Sequence, residues 1–319
     1  MSLTCDRLPL AAPASSTTPT NRRSRPPELK EIMTKLQTTR AKPAKTLTAR
    51  QEVIETVKTV VYALLIALVI RTVLFQPYTI PSASEEPNLY QGDYIIVSKW
   101  SYGYSRHSLL FSPPLFNGRL FFTPPKRGDI IVFKLPRDGT TDYIKRLVGL
   151  PGDRIQVQKG VLYINDKPLA EHVDHTILTN DRGGGVVEET ATIQTETNPE
   201  GRQYLTQVHA PDEPAANTAV YTVPEHCYFM MGDNRGNSLD SRFDPGLAPE
   251  DTKLGGCGWD SRVDATLAYS EPGGVGFVPE ENLVGKAQII MLSWNEGASL
   301  FKPWTWLDLR WNRFLHGLK

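Results

Sequence analysis

Between Val53 and Tyr78 the chain reads VIETVKTVVYALLIALVIRTVLFQPY, and from Thr59 to Ile70 it is apolar on every face. About 20 apolar residues in a helix cross the hydrocarbon core of a bilayer, and the long stems of Lys58 and Arg71 can carry their charges towards opposite interfaces. A helix packed on a soluble core would carry a polar stripe on its outer face. None is visible, and nothing ahead of the run has the apolar content to wrap it. The pattern predicts one membrane-spanning helix over 53–77. Lys and Arg are concentrated just before it, which predicts a cytoplasmic N-terminus and an exported remainder. No small-residue cleavage pattern follows promptly, so the expectation is a retained anchor rather than a removed signal peptide.

The flanks fit such an arrangement. From Met1 to about Arg50 the chain is rich in Pro, Ser, Thr, Arg and Lys and nearly free of aromatics. A segment of that kind buries too little apolar surface to offset its ordering entropy, so 1–52 reads as a disordered, basic cytoplasmic tail. The exported part, 78–319, is long enough for a substantial core. Lys and Arg number 35 against 35 Asp and Glu, so no overall field points to nucleic acid as a partner. Cys5 falls inside, whereas Cys227 and Cys257 fall in the exported part, where a disulfide persists. That pair is a candidate bridge, and two separate buried thiols are the alternative.

Past the span the sequence reads as β. Short apolar runs recur as YIIVSK, DIIVFKL, YIKRLVG, RIQVQ, VLYIN and KAQIIMLSW, several introduced by Gly-Asp turn pairs at Gly92, Gly128, Gly152 and Gly232. VQKGVLYINDKPL predicts a hairpin turning at Lys159 and Gly160, and ATIQTETNPEGRQYLTQV another turning at Asn198 to Gly201. Strands do not alternate with long amphipathic helices, which argues against a parallel sheet. The expected fold class is mainly β: an N-terminal transmembrane helix, then an antiparallel, partly barrel-like β domain. Two stretches look like surface elaborations, Glu171 to about Val187 and Phe243 to Gly276, with insertions placed near 171–222 and 243–276. The second holds a repeated DSR at Asp260 to Arg262. The C-terminal stretch gathers four of the six tryptophans beside Arg and Lys, a composition that suits either a membrane interface or an ordinary core.

Most familiar chemistries find no residues here. There is no GxxxxGK[ST] loop, GGVGF lacks the strand-to-helix setting of a dinucleotide site, and no GxSxG elbow occurs. His172 and His175 in EHVDH stand in the wrong order for a helical zinc site, with no further ligand cluster. The expectation is no cofactor and no metal. Serine and lysine remain. A lysine serves as base for serine only when neutral; its free pKa is about 10.4, and burial lowers it by roughly 3 to 5 units. Lys145, in DYIKRLVGLPGD, has the apolar neighbours this requires.

Taken with IPSASEEPNLYQGDYIIVSKWSYGY (Ile80 to Tyr104) and YFMMGDNRGNSLDSR (Tyr228 to Arg242), that stretch resembles, in order and spacing, the motif boxes of bacterial type I signal peptidases. GFVPEENLVGKA resembles the family's closing segment, and the resemblance spans roughly Ala63 to Trp294. It implies the signal peptidase fold, with the catalytic domain on the outer, periplasmic face of a bacterial inner membrane. It also implies an endopeptidase that removes N-terminal signal peptides carrying small residues before the cut, at the surface of the lipid bilayer. By the same resemblance Ser84 is the nucleophile and Lys145 its general base, with the Ser82 hydroxyl and the Ser84 N–H as oxyanion hole. Ser238 is expected to orient the lysine. Asp240 and Arg242 are expected to pair as scaffold, with structural support from Arg146 and Asp142. Ile80, Glu85, Leu89, Tyr143 and Ile144 are expected to line the substrate pocket. In an extended strand Ser82 and Ser84 would share a face, with Glu85 on the other.

One departure matters. Where the family has Gly-Ser-Met, this chain has Ala83, Ser84 and Glu85. A carboxylate near Lys145 would favour the charged ammonium and oppose a neutral base. If Glu85 turns to water, activity survives with altered pocket preference; if it faces the lysine, the enzyme is slow or inactive. The alternatives are therefore a membrane-anchored β domain that binds exported peptides with weak or lost catalysis, or a peptidase dedicated to one secretion or conjugation system.

Overall fold

The computed structural model describes residues 48–109, 112–179, 189–209, 215–245, 256–258, 273–295, 303–305 and 307–318. Most of the basic tail, Trp306 and the second DSR lie outside them. The chain divides into two compact units, Met1–Thr59 and Val60–Lys319.

In the first unit, helix α1 (Ala49–Val69) begins. Its start is set by Thr48, whose N–H donates to Gln51 Oε1 at 3.0 Å while its carbonyl accepts from Gln51 N at 2.7 Å. This is a capping arrangement that satisfies otherwise orphaned groups. In the second unit the helix runs on to Val69 and ends in a π-helical turn, Ile70–Leu74. Together Ala49–Leu74 make 26 residues, long and apolar enough to cross a membrane. The helix stops short of the expected boundary because Phe75 is already extended, with φ −129° and ψ 141°. Pro77 explains the change, since it lacks an N–H and pushes the preceding residue out of the helical region.

Strands β1 (Phe75–Thr79), β2 (Asp93–Ser98), β3 (Ile130–Lys134), β4 (Asp142–Gly149), β5 (Arg154–Gln158), β6 (Val161–Ile164), β7 (Lys167–Pro168) and β8 (Ala170–Thr179) follow. After them come β9 (Glu189–Thr197), β10 (Gln203–Val208), β11 (Tyr221–Thr222), β12 (Cys227–Met231), β13 (Val278–Pro279), β14 (Leu283–Ser293) and β15 (His316–Gly317). The main sheet has the order β1-β2-β14-β3-β4-β12-β13, with β15 on β14; β10-β9-β8 and β11-β5-β6-β7 form two smaller sheets. All the strand pairs are antiparallel, and the main sheet curls. The fold is thus mainly β behind one apolar helix.

Both expected hairpins form. Gln158 pairs with Val161, so Lys159 and Gly160 make the two-residue turn, at φ 51° and 83°. That is the doubly left-handed geometry which matches strand twist. Strands β9 and β10 are joined through Asn198–Gly201, and the Asn198 side chain accepts from the Glu200 and Arg202 amides. The stretch from Glu171 is more than an elaboration: up to Thr179 it is strand β8, paired along its length with β9. Its side chains from Glu171 to Thr176 stay exposed, so backbone pairing rather than apolar burial makes this strand.

Three apolar clusters fill the domain. One, around Ile155, Leu162 and Phe229, includes Cys227 and Cys257, which are joined as a disulfide with Cα atoms 5.7 Å apart. A second gathers Ile131, Phe133, Leu147 and Met230. The third joins Ile80 and Leu89 to Val132 of β3, with Tyr78 and Ile144 packed on it.

Candidate active site

Ser84 lies in the connection between β1 and β2. Its ends are clasped by Ile80 N–H to the Asp93 carbonyl (2.9 Å) and Gly92 N–H to the Ile80 carbonyl (3.0 Å). Inside that clasp the chain is turned, not extended: Glu86 N–H donates to the Ala83 carbonyl and Leu89 N–H to the Glu85 carbonyl. Strand alternation therefore does not apply here, and what brings Ser82 and Ser84 together, Oγ to Oγ at 3.4 Å, is a bend. From behind, Asn234 N–H donates to the Ser84 carbonyl at 3.1 Å and its side-chain amide to the Ala83 carbonyl at 3.2 Å.

Lys145 reaches the same point from β4, where it is registered against Ile131 of β3 and is only 3% exposed. Its Nζ donates to Ser84 Oγ. The next residue locks the strand: Arg146 makes a two-pronged ion pair with Asp233 (2.6 and 2.7 Å) and lies 4.2 Å over the Tyr204 ring. Asp233 also accepts from Asn88 Nδ2 at 2.7 Å, tying β4, the loop after β12 and the Ser84 connection into one buried network. Such a pair adds little net stability when intact, but loss of one partner leaves a buried charge unmatched.

Glu85 does not turn to water. It is fully buried, with Oε1 3.4 Å from Lys145 Nζ and Oε2 lacking a hydrogen-bond partner among the described residues. Burial pushes its carboxyl well above the usual carboxylate range, aided by the Asp233 charge and opposed by Lys145 and Arg146. In a turn, unlike a strand, successive side chains are not sent to opposite faces, which is why Glu85 sits beside the lysine.

The remaining site expectations divide. Asp240 and Arg242 are joined at 2.8 Å inside the domain, and Asp240 also accepts from Gly232 N–H at 3.0 Å. Burial would raise the Asp240 carboxyl, but Arg242 and the backbone N–H donors hold it below its ordinary value. Ser238 is buried at the site, yet its Oγ has no hydrogen-bond partner among the described residues. Instead of orienting the lysine, it packs on Gly232, where an added Cβ would lie 2.2 Å from Ser238 Oγ and 2.5 Å from the Ser84 carbonyl oxygen. Only glycine permits that approach. Ile80, Leu89 and Ile144 share one apolar wall, whereas Tyr143 belongs to the neighbouring cluster and packs towards Phe133, ring centroids 6.3 Å apart. Adjacent residues of a strand face opposite ways, which separates Tyr143 from Ile144. Asp142 pairs with Lys134 at 2.9 Å.

Gly232 reads in sequence as a turn residue, and Asn234 carries no signal of its own. Both stand within GDNRGNS, and the only local signal was the density of Gly and Asn. What the arrangement offers chemically is a hydroxyl against a buried primary amine, backed by fixed backbone groups and beside an apolar cluster.

The chain is similar to known proteins over most of its length. A sequence model of the family described as signal peptidase, peptidase S26, matches residues 53–294. Signal peptidase I of Rickettsia typhi is 37% identical over 262 residues, covering 76% of this chain and 86% of the relative. That of Rickettsia massiliae is 35% identical over 302 residues, covering 89% and 98%. A solved signal peptidase I from Enterococcus faecalis is 25% identical over 51% of this chain and 97% of that one, with a TM-score of 0.24. On the strength of the sequence relatives and the family match, the chain belongs to the signal peptidase family, peptidase S26.

Proposed function

We propose that this protein is a membrane-anchored serine endopeptidase that removes N-terminal signal peptides from exported preproteins, using Ser84 as nucleophile and Lys145 as general base. The observation that carries the reading is the part-buried hydrogen bond between Lys145 Nζ and Ser84 Oγ, residues 61 positions apart in sequence. In the reactive form the lysine is a neutral amine. It accepts the Ser84 proton as Oγ bonds to the scissile carbonyl carbon. The Ser82 hydroxyl and Ser84 N–H stabilise the resulting oxyanion. Collapse breaks the C–N bond, the ammonium returns its proton to the leaving amine, and an acyl-enzyme remains on Oγ. Water, deprotonated by the same amine, then releases the signal peptide as a carboxylate. The wall of Ile80, Leu89 and Ile144 selects small side chains before the cut. The apolar helix holds the domain at the outer surface of the membrane with the N-terminal tail in the cytoplasm.

The test is cleavage of a preprotein by the purified full chain in detergent micelles. Ser84→Ala is expected to abolish turnover and Lys145→Ala to lower kcat by about 10²–10⁴. Undiminished cleavage by either variant overturns the assignment. The contact between Glu85 and Lys145 favours a second reading, that catalysis is attenuated because the carboxyl competes for the amine. In that case Glu85→Met raises kcat; a wild type that cuts nothing until this change is made would be a degenerate member of the family.

A further inference from the structure

Away from Ser84, at the helix end of β1, a cavity of about 390 Å³ is lined by Leu68, Arg71 and Thr72, by Gln76 and Tyr78 of β1, and by cations from three directions. Its charges do not balance. Lys134 is matched by Asp142 at 2.9 Å and also donates to the Thr140 carbonyl. Lys99, only 3% exposed, donates to the Ser108 carbonyl at 2.6 Å, and no carboxylate pairs with it or with Arg71 among the described residues. His107, on the same wall, adds no charge near neutral pH: burial, with Arg106, Lys134 and Arg119, brings it down to about 4. Lys99 itself is brought down to about 8 by burial and by the Arg71 and Lys134 cations, against the pull of Asp142. A desolvated ammonium whose nearby carboxylate, Asp142, is already paired with another lysine is an unfavourable thing to build into a fold. It becomes understandable if an anion enters the cavity.

We propose that this cavity is a binding site for the phosphate of an anionic lipid headgroup, held between Lys99 and Arg71 at the outer end of the membrane helix. Position favours a lipid over other anions. The 26 residues of the helix span roughly 39 Å at 1.5 Å each, close to the roughly 40–45 Å of a bilayer including its headgroup layers. Arg71 and Thr72, at the end of that span, therefore lie at headgroup depth. The wall is also amphipathic in the manner a lipid requires, with Leu68 and Leu109 beside the cations and the Thr72 and Ser112 hydroxyls as further donors. The proposal rests on reading the helix as a membrane anchor and is independent of the Ser84–Lys145 chemistry.

The experiment uses the full chain in phosphatidylcholine nanodiscs containing phosphatidylglycerol, with retained lipid counted by native mass spectrometry after transfer to detergent. The wild type should retain phosphatidylglycerol in preference to phosphatidylcholine. The preference should fall about fivefold in Lys99→Met and about fivefold in Arg71→Gln, the scale expected for one cation at a membrane surface. Arg71 is exposed, so its variant tests the site even if Lys99→Met fails to fold. Equal retention of both lipids by the wild type overturns the proposal, as does unchanged preference in both variants. Inorganic phosphate bound as tightly as the lipid, with no lipid preference, would make this a free-phosphate site and also sink it. The same holds if Lys99→Met leaves lipid retention alone and raises KM only for peptides with an acidic side chain upstream of the cut. Flotation with pure phosphatidylcholine vesicles reports separately on the anchor.

Discussion

At the scale of single residues, Glu85 is a carboxyl walled in beside Lys145, the amine proposed as the base. Burial disfavours the charged carboxylate, and the upward displacement of the Glu85 carboxyl favours the acid. An acid at this position would place no full negative charge against Lys145, whereas a carboxylate would compete with Ser84 for it, the attenuated case that Glu85→Met tests. The same displacement has a consequence for stability. A carboxyl that holds its proton more tightly in the folded state than in the unfolded one supports the fold fully below the unfolded value of about 4.3, and that support is lost as pH rises through the folded value. Thermal unfolding in micelles should therefore show wild type losing more stability than Glu85→Met as pH rises from about 5 to about 9. By alkaline pH the variant, freed of a buried polar group with an unpartnered oxygen, should be more stable by about 1–3 kcal/mol. Parallel pH profiles would mean that the carboxyl is not buried in the folded protein. The position of Ser84 and Lys145 was legible because each stands in a distinctive string of residues. The direction of Glu85 was not, because it depends on a turn whose geometry is set by partners more than a hundred positions away, Asn234 above all.

At the scale of elements, legibility followed the range of the interactions. The Lys159–Gly160 and Asn198–Gly201 hairpins could be read because turn chemistry is local and their strands are neighbours in sequence. The insertion of β14 between β2 and β3 could not, since nothing in KAQIIMLSW states which edge it joins. Strand β8 escaped notice for a different reason: with its first residues exposed, it lacks the alternation of burial on which strand reading depends. The disulfide belongs to this scale as well, for it ties the start of β12 to a distant loop across 30 positions. Closing a loop of that length removes unfolded-state entropy worth about 3–4 kcal/mol, and both half-cystines are packed in the Ile155–Phe229 cluster. The Cys227→Ser, Cys257→Ser double variant should lose about that much stability in denaturant unfolding, and dithiothreitol should lower the midpoint of wild type but not of the variant. A reductant-insensitive wild type would show that the bridge does not form in the isolated protein.

At the scale of the whole molecule, the question is what the helix contributes to peptide cleavage. The three apolar clusters draw on residues from Tyr78 onward, and every group assigned to bond-making lies beyond it, so the helix adds no reacting atom. On the proposed function, its contribution is to confine the protein to the membrane plane in which preprotein substrates would also lie. Tethering two partners in this way raises apparent affinity by about 10²–10⁴ without any new contact. The aromatic C-terminal stretch adds to this only weakly. Trp294 is turned inward against Tyr94, with ring centroids 5.0 Å apart, while Trp304 and Trp311 are 73% and 67% exposed and suited to an interface. A chain beginning at Phe75 should therefore cut a short soluble peptide with kcat/KM within about tenfold of the full chain, yet cut a vesicle-embedded preprotein about 10²–10⁴ times less efficiently. The two substrates separate the possible roles of the helix. A matching loss on both would mean that it shapes the site itself, and no loss on either would mean that exposed aromatics suffice to hold the domain at the membrane.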